Sequence, residues 1–269
     1  LGVALTGRRI FRMAQGIYNY DDIGTVAGPK WARECNILSY CPALSPQHTY
    51  MLLTLNPFSP EVGKTLLKGG EIGGQIDAFY NFRRGTALGG KRGMRVHANY
   101  STYYTLDEKG KTEGGDFLFR DFSVDVEKQW TRKFKSVLMY SLQDYNKHSD
   151  GYYVGLSHIA VADLLYKWTP TFSTRLELQY LLTHEDKKDW MSALLEVNFA
   201  PSWSIFASDL YNHGMTDIHY YNAGVSYTKG RTRVALSYGR NRAGMVSSGG
   251  VCRLMPAYTG GNITVSTSF

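Results

Sequence analysis

The sequence has 269 residues, 43% hydrophobic and 14% aromatic, and its 30 Lys and Arg against 23 Asp and Glu give a net charge of +7. No apolar run approaches the roughly 18 residues of a membrane-spanning helix, which excludes helical membrane proteins. The 20 Tyr and 28 Gly against 8 Pro indicate strands and turns. A soluble β protein or a β-barrel remains. Because the chain starts at Leu1 without a signal segment, we expect a mature form or a fragment.

Apolar and polar side chains alternate over long stretches, which is the period of a strand with two different faces. The clearest case is 172–182, where Phe172 and Leu178 lie on one face and Arg175 and Glu177 on the other. Most such stretches exceed the roughly 9–11 residues that a tilted strand needs to cross a bilayer. Fourteen strands are predicted, near 1–13, 31–40, 47–57, 70–83, 92–105, 115–129, 132–147, 152–168, 171–184, 188–200, 203–213, 216–229, 231–245 and 261–269.

The connections between these strands alternate between short turns and longer, more polar loops. Bacterial outer-membrane barrels pair short periplasmic turns with longer extracellular loops, so this parity predicts an up-and-down barrel. To preserve the parity, 246–256 is assigned to the last extracellular loop rather than to a strand. Trp130, Trp168 and Trp203 fall at short turns, and Trp31 and Trp190 lie beside long loops, as the aromatic girdles of a barrel would.

The last residues also alternate, with Ile263, Val265, Thr267 and the terminal Phe269 on one face. This pattern resembles the C-terminal strand by which the barrel-assembly machinery recognises bacterial outer-membrane proteins. We therefore expect that machinery and outer-membrane lipid as partners.

Several segments resemble one family, the uncharacterised outer-membrane β-barrel proteins of Bacteroidota, which share a domain of unknown function. The resemblance implies a bacterial outer-membrane location, no established activity, and a longer protein with strands before Leu1. It therefore implies that residues 1–269 are one barrel domain, or the C-terminal portion of one. The matching segments are 42–50, 84–91, 159–163, 219–222, 235–240, 249–253 and 256–257.

One face of the predicted strands carries charged side chains of both signs. They could line a polar channel that selects small solutes, or form cross-strand salt bridges that fill a narrow lumen, for example Asp77 with Arg95. Fourteen strands lie between the sizes of filled and open barrels and do not decide between these alternatives. The candidate lumen-lining residues are Asp77, Arg95, His97, Asp125, Glu127, Arg175, Glu177, Glu196 and Arg233.

Twelve Lys and Arg flank the short turns, so the rest of the chain is net negative. We expect this basic rim to meet lipid phosphates of the inner leaflet or an acidic periplasmic partner. Nine of the twelve are the candidate rim residues: Arg83, Arg84, Lys91, Arg92, Lys128, Arg132, Lys133, Lys229 and Arg231.

No catalytic, metal or cofactor motif stands out. Ser157 and His158 are adjacent on a strand and should point in opposite directions, and a group of His213, His219 and Asp217 is only a local coincidence. Single-stranded nucleic acid is disfavoured as a partner because the aromatics lie mainly on the apolar face. We expect a non-enzymatic barrel without cofactor, acting as a narrow pore or transporter for small solutes. The alternatives are a structural or partner subunit of a larger envelope complex, and a soluble all-β binding protein.

Overall fold

The computed structural model describes residues 1–11, 70–106, 112, 117–146, 153–184, 188–242, 244–248 and 251–268. Within these ranges the regular structure consists of strands. No α-helix there has the length and hydropathy that a membrane span requires. The strands are β1 Gly2–Phe11, β2 Gly70–Phe82, β3 Met94–Thr105, β4 Phe117–Gln129, β5 Phe134–Asn146, β6 Tyr153–Lys167, β7 Phe172–Leu182, β8 Trp190–Phe199, β9 Trp203–Asn212, β10 Ile218–Lys229, β11 Thr232–Asn241, β12 Gly244–Ser248, β13 Val251–Met255 and β14 Tyr258–Thr267.

Twelve of these strands form one sheet in chain order, from β1 to β11 and then β14. Every neighbouring pair is antiparallel, so the all-β, up-and-down fold class is confirmed. Strands β12 and β13 form a separate two-stranded sheet. The prediction that 246–256 is a loop rather than a strand is therefore wrong for the residues that form β12 and β13, although these strands do not join the main sheet. In the ranges described, β1 and β14 are the two edges of the main sheet.

Twelve of the fourteen predicted strands are found within a few residues of their predicted bounds. The other two, at 31–40 and 47–57, lie outside the described residues. The expectation of fourteen strands in one sheet needs a correction, because β1 pairs directly with β2, from Gly2 opposite Phe79 to Phe11 opposite Gly70. No other strand stands between them, and the main sheet has twelve strands in the described part.

Four turns of two to four residues, at 130–133, 168–171, 200–202 and 230–231, lie at one end of the sheet together with the longer 83–93 link; this end is here called the short-turn end, and the opposite end the loop end. Two of the turns have the same arrangement of side-chain to backbone hydrogen bonds. Thr131 accepts hydrogen bonds on Oγ1 from the backbone N–H of Lys133 and Phe134, and Thr169 accepts them from Thr171 and Phe172. A threonine hydroxyl that binds backbone N–H groups two and three residues on stabilises a tight turn. The sequence Trp-Thr-x-x-Phe therefore marks both turns.

Of the two faces of the sheet, the polar one is buried and the apolar one is exposed. The polar face, called the inner face, contains buried side chains such as Asn99, Ser141 and Gln179. The apolar face, called the outer face, exposes Leu178, Tyr180 and other large apolar side chains. A soluble protein buries its apolar face instead, so the burial pattern of this sheet is the reverse of that of a soluble sheet.

One contact links strands that are three positions apart in the sheet. The Arg242 guanidinium, just after β11, lies 4.7 Å from the ring centroid of Trp190 on β8. Strands three positions apart are about 14 Å apart, a distance that these two long side chains bridge.

Candidate functional site: the inner face

Two charge networks and one apolar cluster occupy the inner face. The first network lies on β2, β3 and β4, where His97 contacts two carboxylates. Its Nε2 is 3.5 Å from Asp77 Oδ1 and its Nδ1 is 2.9 Å from Asp125 Oδ1. The amides of Gln75 and Asn99 also donate to Asp77, at 2.8 and 2.7 Å. The inner face at this point is a partly buried, hydrogen-bonded acidic patch bridged by one imidazole.

The second network is centred on Arg175 of β7. Its guanidinium donates to Asp163 on β6 at 3.0–3.1 Å and to Glu177 at 2.5 Å, and lies 4.0 Å from Glu196 on β8. Glu177 also accepts a hydrogen bond from Gln179 and its side chain is only 4% exposed. A planar guanidinium has several N–H donors and can bind several carboxylates at once. The ammonium group of a lysine could not bind them in the same geometry.

The remaining candidate lumen residues have other partners. Lys135 Nζ lies 2.5 Å from Glu127 Oε1, and Arg233 donates to Ser226 Oγ at 3.3 Å. The Arg95 guanidinium is 5.4 Å from the ring centroid of Phe79. The predicted pairing of Asp77 with Arg95 is wrong in its partner: Asp77 is directly opposite Asn99, and His97 reaches it diagonally.

A buried apolar cluster covers the inner face of β5 to β9 towards the loop end. It places nonpolar side chains where a water-filled channel would need polar ones. One signal of it in the sequence is β6, where Ile159 and Val161 place apolar residues on the otherwise polar face. The members are Met139, Ile159, Val161, Leu181, Trp190 and Leu210, with Tyr220 packed against them.

Trp190 belongs to this cluster and not to an interfacial girdle. It lies at the loop end, as predicted, but its side chain is fully buried and stacks on Tyr220 with 6.1 Å between ring centroids. The girdle prediction for Trp190 is therefore wrong, because the start of β8 turns this side chain inward. Trp31 lies outside the described residues.

Aromatic side chains form a belt on the outer face at the short-turn end. The three predicted tryptophans there are each about half exposed. Trp168 contacts Tyr166 at 4.6 Å and Phe172 at 6.5 Å between ring centroids. The indole N–H groups of Trp130 and Trp168 donate to Ser136 and Thr174. The belt consists of Trp130, Phe134, Tyr166, Trp168, Phe172, Phe199, Trp203 and Tyr227.

The basic rim lies next to this aromatic belt. Eight of its nine residues are exposed and Lys128 is partly exposed. Lys128 donates to the carbonyl of Leu88 at 3.0 Å and lies 4.5 Å from the Trp130 ring centroid. Lys133 donates to the carbonyl of Trp168 at 3.1 Å, which links two neighbouring turns. Basic and aromatic side chains side by side are typical of a membrane interface.

The Ser157–His158 pair and the group of His213, His219 and Asp217 do not form a catalytic arrangement. Ser157 and His158 point to opposite faces, as predicted: Ser157 shares a hydrogen bond with Thr183 on the inner face, and His158 contacts the Tyr140 hydroxyl on the outer face. His219 lies 2.6 Å from Asp209, while Asp217 accepts from Tyr211. In the ranges described, no three His, Cys, Asp or Glu side chains are grouped to hold a metal ion.

Comparison with known proteins gives a family but no activity. The model of a family of unknown function, DUF6029, matches residues 1–269. No curated protein matches the chain. Among solved structures, outer membrane phospholipase A from Escherichia coli is similar over 73% of this chain and 79% of its own, with 13% sequence identity and a TM-score of 0.34. A TM-score of 0.34 supports no conclusion about fold or activity.

Proposed function

The chain belongs to DUF6029, a family of unknown function, and we propose that it is an integral β-barrel of the bacterial outer membrane, of Bacteroidota as the sequence resemblance implies. The outer face supports this location. On β7 its side chains run from Phe172 to Leu182, which at about 3.3 Å per residue and a tilt of about 40° is an apolar band about 25 Å tall. That height fits the hydrocarbon core of an outer membrane.

Within that membrane we propose a non-enzymatic structural or partner barrel that does not conduct solutes. The observation that carries this proposal is the inner apolar cluster, to which each of five adjacent strands contributes one or two buried nonpolar side chains. The paired charges support it further, because Arg175 and its three carboxylates satisfy one another instead of facing a water column. Such a barrel would act through its surfaces, by holding partners of an envelope complex.

A narrow pore for small solutes is the second candidate. It is favoured by the buried polar side chains of β2 to β5, which could form a hydrophilic path along one wall. Planar-bilayer conductance of the purified protein separates the two candidates. We expect no current above that of the bare membrane, whereas discrete conductance steps would overturn the structural barrel in favour of the pore. A general porin reconstituted in parallel controls for insertion.

We further propose that the basic rim binds anionic lipid phosphates at the periplasmic surface. Reversing the charge of Arg84, Arg92, Arg132 and Lys133 together should reduce binding to vesicles that contain anionic lipid, since each basic residue near such a surface contributes about 1 kcal/mol. Lipid retained after purification and vesicle co-sedimentation at low salt would measure the loss.

The control for the rim variant is Arg240→Glu, because Arg240 is exposed and lies at the opposite, loop end of the sheet. It should leave vesicle binding nearly unchanged. Equal binding by the wild type and the rim variant would count against a lipid contact there. The predicted recognition of the C-terminal strand by the assembly machinery stays a proposal, and Phe269 lies outside the described residues.

A further inference from the structure

An ion pair interrupts the apolar outer face of the sheet on β9 and β10. His219 Nδ1 lies 2.6 Å from Asp209 Oδ2, and the two side chains are 55% and 40% exposed. On β9 the carboxylate comes six residues after Trp203 of the aromatic belt. At about 3.3 Å per residue and a tilt of about 40°, this is about 15 Å into an apolar band about 25 Å tall. On β7 the outer face carries no charge from Phe172 to Leu182, so the pair lies within the band and not at its edge.

Lipid leaves part of this ion pair unsatisfied. In the described part of the chain, no group binds His219 Nε2. Asp209 Oδ1 is buried, so Oδ2 is the carboxylate oxygen that reaches the surface, and it can accept a second hydrogen bond. Tyr211 stacks on the imidazole at 4.0 Å between ring centroids and 9° between ring planes, which fixes the direction of Nε2. Ionisable side chains at membrane depth are costly and almost always have polar partners, so this surface calls for a partner other than lipid.

The outer face beside the ion pair is flat. Ala207 and Ala223 are directly opposite each other, and Ala193 is directly opposite Asp209. All three alanines are exposed. Small side chains let a neighbouring backbone approach closely, as they do between membrane helices. A second barrel wall can therefore cover the alanines and the ion pair together.

We propose that this part of β9 and β10 is the contact between two copies of the chain in the membrane. A two-fold axis along the membrane normal, passing between β9 and β10, places β9 of one copy against β10 of the other. Asp209 of each copy then faces the partner's His219. Each carboxylate accepts one hydrogen bond from its own imidazole and one from Nε2 of the partner's His219. Two imidazolium groups and two carboxylates form a closed ring without net charge.

An identical copy fits this surface because the ion pair contains both a donor and an acceptor. Two such patches complete each other, as an isologous interface requires. Strands tilted by about 40° cross where two barrel walls meet, so the contact is limited to the rows around Ala207 and Asp209. The inference rests on the proposed outer-membrane location. It also names a partner for the proposed structural barrel, a second copy of the chain.

Cross-linking in vesicles tests this contact. In a variant whose cysteines are replaced by serine, a single cysteine at Ala207 would be treated with a short bis-maleimide. We expect a covalent dimer, because Ala207 lies beside the proposed axis. The control is a single cysteine at Leu138, an exposed outer-face residue of β5, which should give at least tenfold less dimer. Equal yields at the two positions would overturn the proposal.

Substitutions at the ion pair and at the flat surface measure the interaction. His219→Phe keeps a ring that stacks on Tyr211 but removes both nitrogens. It should weaken dimerisation at least tenfold, measured by energy transfer between labelled copies over a range of protein-to-lipid ratios. Ala207→Trp should weaken it at least as much, because the indole separates the two walls. Leu138→Trp adds the same ring on β5 and should leave dimerisation unchanged. Electrophoresis without heating shows whether each variant keeps its folded mobility.

A chain that is inserted but monomeric at every protein-to-lipid ratio would overturn this inference and leave the proposed location intact. A dimer unaffected by His219→Phe and Ala207→Trp would overturn it too, because the contact would then lie on other strands. Insertion is judged separately, from the access of oxygen to a spin label at Leu178. Failure of that measurement would remove the proposed location, and this inference with it.

Discussion

Replacing Arg175 by methionine is expected to destabilise the folded protein by about 3 kcal/mol. Methionine retains an apolar side chain of comparable length but removes the only charge that contacts Asp163, Glu177 and Glu196 together. Breaking a buried ion pair leaves an uncompensated charge, which costs roughly 3–5 kcal/mol. We place the loss at the low end because the Arg175 side chain is 26% exposed. Urea unfolding of the protein in lipid vesicles measures it.

Arg233→Met is the matched control for this prediction. Arg233 also lies on the inner face, but it is exposed and donates a single hydrogen bond, to Ser226. Its replacement should cost less than about 1 kcal/mol. If both variants lose the same stability, the Arg175 network does not stabilise the fold beyond what any inner-face charge does.

Placing an arginine at Leu178 should destabilise the protein by about 3 kcal/mol in a bilayer. Leu178 lies on the outer face, six residues from the aromatic belt at Phe172, and is exposed. If that face contacts lipid, the position is near the middle of the apolar band, where arginine costs roughly 2–4 kcal/mol. The same urea titration in vesicles gives the value.

The size of this effect should depend on depth. Ile205→Arg changes an outer-face residue only two positions from Trp203, near the interface, where the cost falls to about 0–1 kcal/mol. A soluble protein with an exposed apolar face would tolerate both changes equally. Equal, small losses at the two positions would therefore contradict a lipid-facing surface.

The strands could be predicted from the sequence because alternation with a period of two survives wherever the two faces of a strand have different surroundings. The inner apolar cluster could not be predicted in this way. In β6, Ile159 and Val161 interrupt the alternation, and a strand that is apolar on both faces does not reveal which side chains pack together. The position of Trp190 along the chain predicted the correct end of the sheet for its side chain, but not the correct face.

The charge networks were predicted in kind but not in detail. Period and register place Asp77, His97 and Asp125 on one face of three adjacent strands. Which partner each one chooses depends on side-chain reach and rotamer, and Asp77 contacts the diagonal His97 rather than Arg95.

The central claim is that the outer face of this sheet lies in lipid, and spin labels placed on β7 test it most directly. In a variant whose cysteines are replaced by serine, single cysteines at Leu178 and Gln179 would be labelled in vesicles. We predict that the label at Leu178 collides readily with oxygen and rarely with a water-soluble nickel chelate, and that the label at Gln179 does not share this lipid signature. A Leu178 label as accessible to the nickel chelate as a label on the exposed Lys133 would contradict the account.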